Sequence, residues 1–230
     1  MRSLRPLCLG EKKGKVLLGI IFTGGEGPQV QVIKKTLAES ENPLVIAADS
    51  GLALAKNADV KPHILIGDFD SLPDTQEYAD TLAAYPPECI IRHEREKDFT
   101  DTELAFLLAK EKGCDEVWIF GGGGGRIDHL FGIRSLCERD VFPRRWITAH
   151  EDIYCICREQ RFSQNNIKEE AIVSVFPLGD GPWEAMSEGL KWQLSGLKWN
   201  RGFFGLSNVA QSGEISIIAK TGRFMVILQL

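Results

Sequence analysis

Two aspartates stand one residue apart where an apolar run ends, in Ile64-Leu65-Ile66-Gly67-Asp68-Phe69-Asp70-Ser71. In an extended chain Asp68 and Asp70 point to one side and Phe69 to the other. Carboxylates roughly 3–5 Å apart repel strongly unless a cation lies between them. Magnesium is bound in this way, through one or two carboxylates completed by substrate phosphates. A solvated Asp-rich turn is the plain alternative.

A second acidic group, Asp98-Phe99-Thr100-Asp101, comes just ahead of a helix pattern. Thr100 reads as its N-cap and Asp101 as a first-turn acid favoured by the helix dipole. Capping and ligation are compatible. Asp101 is thus a candidate third carboxylate for the same cation, with Asp98 second.

The third group is Gly121-Gly122-Gly123-Gly124-Gly125-Arg126-Ile127-Asp128-His129, placed between an apolar run and a helix-like run. Glycines let the backbone approach a ligand closely, and N–H groups at a helix start suit phosphate. Arg126 adds a planar fork for phosphate oxygens. The run is not a Walker loop, because no Gly-Lys-Ser/Thr follows, and it is not a dinucleotide fingerprint. No proton-transfer role is assigned to His129. Thr23-Gly24-Gly25-Glu26-Gly27 and Asp49-Ser50-Gly51 also follow apolar runs. Each reads as a nucleotide contact or as a plain βα turn. Further on, Trp183, Trp192 and Trp199 crowd together, and Gly-Leu-Lys-Trp occurs at Gly189 and again at Gly196. Tryptophan usually packs in a core, and a flat cationic ligand would give the stacking alternative.

These groups need a scaffold that brings them to one edge. Apolar runs at 16–22, 44–48, 64–66, 89–91 and 117–120 are nearly continuous, as expected for parallel strands covered on both faces. Helix patterns at 30–39, 51–57, 75–84 and 101–112 lie between them. The last carries a capping box from Thr100 to Glu103 and a stop at Gly113. In such a sheet, ligands sit at the carboxyl ends of the strands, where all the polar loops above fall. Beyond Trp146 the pattern changes to short strands at 153–157, 172–176, 215–219 and 224–228, with turn signals such as Gly179-Asp180-Gly181-Pro182 and Ser212-Gly213. We therefore expect an α/β plus all-β chain. Residues 1–145 form an open parallel, Rossmann-like nucleotide-binding domain, and residues 146–230 a β-sandwich.

Composition narrows the function. The chain of 230 residues has 27 basic and 32 acidic side chains and a net charge of -5, which argues against a nucleic-acid surface. No window reaches ~18 uninterrupted apolar residues, so no membrane span is expected. Arg2 and Arg5 precede a run too short for a secretion signal. Cys8, Cys89, Cys114, Cys137, Cys155 and Cys157 contain no zinc spacing and read as reduced thiols of a cytoplasmic protein.

In this order, the motifs resemble thiamine pyrophosphokinase. The matching stretches are Ala48-Asp49-Ser50-Gly51, Gly67-Asp68-Phe69-Asp70-Ser71, Asp98-Phe99-Thr100-Asp101, Gly124-Gly125-Arg126-Ile127-Asp128-His129, Gly189-Leu190-Lys191-Trp192 and Ser207-Asn208. The resemblance implies a homodimer with active sites at the subunit interface. It implies pyrophosphate transfer from ATP to the thiamine hydroxyl, with magnesium, giving thiamine diphosphate and AMP. It assigns Asp68, Asp70 and Asp101 to the metal, and Arg126 with Gly124 and Gly125 to the triphosphate. Asp49, Ser71, Asp98, Thr100 and Asp128 line the site, with Asp98 or Asp128 accepting the hydroxyl proton. Trp192, Ser207 and Asn208 face thiamine. The Gly-Leu-Lys-Trp element is single in the family and doubled here. The alternatives are a magnesium-dependent kinase for another alcohol, which keeps the α/β half, and a nucleotide sensor without turnover.

Overall fold

The computed structural model describes residues 17–94, 98–211 and 213–230. Cys8, Val16 and Ser212, used above, lie outside them, as do Arg2 and Arg5. The chain divides into two compact units. Among the described residues, the first takes 17–134 with Trp146–His150, and the second takes Ser135–Arg145 with Glu151–Leu230. A single cut at 145/146 therefore does not describe them. The reason is local. Gly121 N–H donates to Ile147 O at 3.0 Å and Trp146 Nε1 donates to Gly121 O at 2.8 Å, which ties 146–147 to the first unit. Arg144 O instead accepts from Cys155 N–H at 2.9 Å.

In the first unit, strands β1 (Leu18–Phe22), β2 (Leu44–Ala48), β3 (Ile64–Gly67), β4 (Ile90–Arg92) and β5 (Glu116–Phe120) alternate with helices α1 (Val30–Ala38), α2 (Gly51–Asn57), α3 (Gln76–Ala83), α4 (Asp101–Glu111) and α5 (Ile127–Leu136). All pairings are parallel, in the order β5-β1-β2-β3-β4. Every residue of β1 is buried, which is why its sequence is apolar without alternation. Its core joins Ile20, Phe22, Ile33, Leu52, Leu65 and Phe120, with Phe22 and Phe120 edge to face at 5.3 Å. Helix α4 starts as expected, since Thr100 Oγ1 accepts from Glu103 N–H at 3.2 Å. Such a cap contributes about 1 kcal/mol. Helix α2 starts against β1 so closely that a Cβ on Gly51 would lie 2.1 Å from Phe22 O, so only glycine fits there.

The order reverses beside β1. The chain steps from β1 out to β4 on one side, and β5 then returns to the other side. The crevice beyond the carboxyl ends of β1 and β5 is the topological switch point, where open α/β sheets bind ligands.

The second unit is antiparallel. Strands β7 (Glu151–Cys157), β9 (Ile172–Leu178), β11 (Gly205–Val209) and β13 (Arg223–Gln229) form one array in the order β11-β9-β13-β7. Strands β8 (Arg161–Asn165), β10 (Glu184–Glu188) and β12 (Glu214–Thr221) form a separate sheet in the order β10-β12-β8. The short β6 (Arg145–Ile147) precedes β7. The core holds Phe162, Val175, Ala185, Leu190, Ile217 and Phe224. Strands β6, β8, β10 and β11 were not expected from the sequence. In β10 only Ala185 and Ser187 turn inward, so a small residue and a polar one carry its buried face and leave no apolar run.

Candidate active site

The acids at the strand ends converge, with one change of membership. One carboxylate oxygen each from Asp49, Asp68 and Asp101 lies within 4.8 Å of the others. Asp49 follows β2, Asp68 follows β3 and Asp101 opens α4, so three neighbouring elements build the cluster. Gly67 forms its floor. A Cβ there would lie 3.2 Å from both Asp101 Oδ1 and Asp49 Cβ, and its φ of +144° is one that side-chain-bearing residues rarely adopt.

Asp70 is exposed and stands outside the trio. The expectation that Asp68 and Asp70 share one side required extended backbone at Phe69. Phe69 instead has a φ of +63°, which breaks the alternation and buries its ring in the core. Asp70 stays tied to the site, because its N–H donates to Asp68 Oδ1 at 3.3 Å and its Oδ1 accepts from Ser71 Oγ at 3.1 Å.

Asp49 takes the third place. Burial pushes its carboxyl above the ordinary range, and the charges of Asp101 and Asp68 push the same way, against hydrogen bonds from Ser71 and the Ser50 backbone. Its Oδ1 is buried with no hydrogen-bond partner among the described residues. A buried, unpartnered carboxylate oxygen facing two other carboxylates fits a hard divalent cation. In sequence Asp49 follows a strand as a nucleotide contact or a plain turn, and the resemblance placed it in the lining of the site and not on the ion.

The glycine loops are bonded to each other. Gly122 N–H donates to Gly24 O at 2.8 Å, and Glu26 and Gly123 exchange N–H bonds of 2.6 and 3.0 Å. The N–H groups of Gly121, Gly122 and Gly123 are thus used by backbone and not offered to phosphate. Gly124 and Gly125, both at φ +60°, are exposed and make no backbone bond of this kind among the described residues. Next to them Arg126 is committed. Its Nε donates to Asp128 Oδ1 at 3.1 Å, and its second terminal nitrogen donates to Oδ2. That pair holds the Asp128 carboxyl below its usual range. Thr23 Oγ1 lies 2.5 Å from Thr102 Oγ1, joining the end of β1 to the first turn of α4. Asp98 is exposed beside this helix start.

In the second unit the three tryptophans separate. Trp199 is buried in the core, 5.1 Å from Phe224, and Trp183 is half-buried with Nε1 donating to Leu178 O. Trp192 is 53% exposed, with Lys191 Nζ 4.9 Å from its ring centre. The first Gly-Leu-Lys-Trp copy therefore presents its tryptophan and the second buries it. Ser207 is exposed at φ +56°. Asn208 is buried and spends its carboxamide on the backbone of Trp192.

Cys114, Cys137, Cys155 and Cys157 are buried, and Cys89 is half-buried. No helix among the described residues is long and apolar enough to cross a membrane.

Residues 36–142 match the family model of the thiamin pyrophosphokinase catalytic domain. Over 115 residues the chain is 35% identical to the thiamine pyrophosphokinase of Bacillus subtilis (strain 168), a match spanning 50% of this chain and 52% of that protein. The fold extends further. A crystal structure of thiamine pyrophosphokinase from Bacillus subtilis superposes with a TM-score of 0.73 at 24% identity, covering 93% of this chain and 98% of the other. One of thiamin pyrophosphokinase from Geobacillus thermodenitrificans gives 0.71 at 23% identity, over 94% and 98%. The enzyme from Candida albicans gives 0.68 at 14% identity, over 94% and 90%. Asp49, Asp68, Asp101, Arg126 and Asp128 all lie inside the matched segment. In sequence over about half its length, and in fold over most of it, this chain is similar to the thiamine pyrophosphokinases.

Proposed function

We propose that the protein is a thiamine pyrophosphokinase, transferring pyrophosphate from ATP to the hydroxyl of thiamine. The observation that carries the reading is the convergence of Asp49, Asp68 and Asp101 around the buried, unpartnered Asp49 Oδ1. The cluster sits at the carboxyl ends of parallel strands, as a nucleotide site of a Rossmann-like domain would.

Asp49, Asp68 and Asp101 are the residues that would hold Mg²⁺. Asp70, assigned to the ion by motif, would instead support Asp68, to which its N–H donates. Bound there, the ion would neutralise phosphate charge during transfer. The chain's own part is to position and to move one proton. Gly124 and Gly125 offer backbone donors to the phosphates. The thiamine oxygen attacks the β-phosphorus, the bond from that phosphorus to the α-phosphate bridging oxygen breaks, and AMP leaves. The hydroxyl proton passes to a carboxylate. Asp128 is the weaker base because Arg126 stabilises its charged form. Asp98 is therefore the assigned acceptor. Such transfer depends on placement and electrostatics more than on covalent help.

The second unit, read as a β-sandwich, carries the thiamine contacts through Trp192 and Ser207. An indole face suits a flat cation. A homodimer with sites at its interface completes the reading. Ile127 and Phe131, one turn apart on α5 and 65% and 60% exposed, supply an apolar surface for it. The buried thiols fit a cytoplasmic protein.

The test is an incubation with ATP, Mg²⁺ and thiamine, read by mass. Equal amounts of AMP and thiamine diphosphate are expected. AMP without thiamine diphosphate would discard the acceptor, and ADP in place of AMP would discard pyrophosphate transfer.

A further inference from the structure

Arg126 is the guanidinium that the motifs offer to phosphate, yet it is spent on Asp128. A second guanidinium at the same edge of the sheet is not spent. Arg92 ends β4, in register with Gly67, the floor of the carboxylate cluster. Its side chain lies over the Phe69 ring, with Cζ 5.1 Å from the ring centre. Phe69 is the residue between Asp68 and Asp70, so the guanidinium rests on the segment that carries both acids. Arg92 is exposed and forms no salt bridge with them or with any other described residue.

This arrangement has a physical reading. A guanidinium stacked on an aromatic face keeps its edge N–H donors available and loses little freedom when they bond. Beside several carboxylates, an arginine that serves only structure would close a salt bridge. Stacked and unbridged, it suits an anion that arrives with the cation. The geometry points to Arg92 as a polyphosphate-binding residue that grips the nucleotide beyond its α-phosphate. The inference deepens the proposed ATP-dependent pyrophosphate transfer and rests on that reading for its ligand.

The experiment measures binding of ATP, inorganic pyrophosphate and AMP, each with Mg²⁺, to the wild type, Arg92→Met and Arg92→Lys, alongside AMP release with thiamine. In Arg92→Met, ATP and pyrophosphate should weaken at least about tenfold and AMP less than about twofold, the scale of one lost charge-assisted contact. Arg92→Lys keeps the charge without the fork, and should fall between. Equal weakening of ATP and AMP, or ATP binding within twofold of wild type, overturns the inference. Active wild type with unaffected variants sinks Arg92 alone. Arg92-dependent ATP binding without any AMP release sinks the reaction and keeps Arg92. A wild type that binds no nucleotide sinks both.

Discussion

The carboxamide of Asn208 holds the main chain of Trp192 at both ends. Trp192 N–H donates to Oδ1 at 3.1 Å, and Nδ2 donates to Trp192 O at 2.6 Å. Val209 N–H reaches the same Oδ1 at 2.8 Å. Asn208 is only 5% exposed and its carboxamide holds Trp192 through backbone bonds. Asn208→Ala leaves buried backbone groups unpaired and should cost about 1–3 kcal/mol. It should also raise KM for thiamine and leave KM for ATP unchanged. Ser207→Ala should raise KM for thiamine with no change in melting temperature. Thermal melts and the two KM values separate the roles.

The trio of acids should trade stability for function. Without a cation, Asp49 is desolvated and repelled by Asp68 and Asp101. Asp49→Asn should therefore melt higher than wild type in EDTA, while losing at least about a thousandfold in AMP release. Added Mg²⁺ should raise the melting temperature of the wild type and not that of Asp49→Asn. Asp68→Asn and Asp101→Asn should match its loss of turnover. Asp70→Asn should lose about 10–100-fold, the cost of an outer-shell partner. A loss at Asp70 as deep as at Asp68 would put Asp70 on the ion.

The pair of Arg126 with Asp128 has a dependence on pH that can be tested. Arg126 holds Asp128 below its usual range. The pair is therefore intact at and above the ordinary carboxylate pKa, and is lost only as pH falls through the lowered value. Asp128→Asn should leave the acidic limb of the rate profile in place. Because the pair is exposed, stability between pH 5 and 8 should also be unchanged. Asp98→Asn should lower turnover by about 10²–10⁴, the scale of a lost proton acceptor. Turnover of the two variants decides which carboxylate takes the proton.

The buried thiols should be inert. A hydrogen bond with Cys137, together with burial, pushes the Cys155 thiol well above its ordinary value. The folded state thus favours the protonated thiol. That contribution is complete below the unfolded thiol pKa of about 8.5 and is lost as pH rises from there toward the folded value. Melting temperature should fall between pH 8 and 10, and fall less in Cys155→Ala. Among the described cysteines, a thiol-reactive disulfide reagent should modify half-buried Cys89 first, and Cys155 only on unfolding.

Much of this was legible before folding. The strands of the first unit stand out as apolar runs because a parallel sheet is covered on both faces. The start of α4 was readable because a capping box is local, within residues 100–103. Half-buried strands such as β8 and β10 were not legible, since one or two inward residues leave no run. The acids of Gly67-Asp68-Phe69-Asp70 and Asp98-Phe99-Thr100-Asp101 marked the chemistry for a similar reason, because each motif keeps its neighbours in sequence.

Which acids meet was a matter of tertiary structure. Asp49 joins Asp68 only because β2 and β3 pair with Ala48 opposite Ile66. Asp70 is turned away by one positive φ at Phe69. Partner choice among side chains followed the same logic. Arg126 found Asp128 two residues on, while Arg92 came to rest on Phe69, distant in sequence. Residue types and spacing thus determined that the chain carries carboxylates, glycines and arginines at strand ends. The pairing of strands and the burial of Phe69 and Asp49 decided which of them share a few ångström. A charge is felt over that distance, and sequence separation does not measure it.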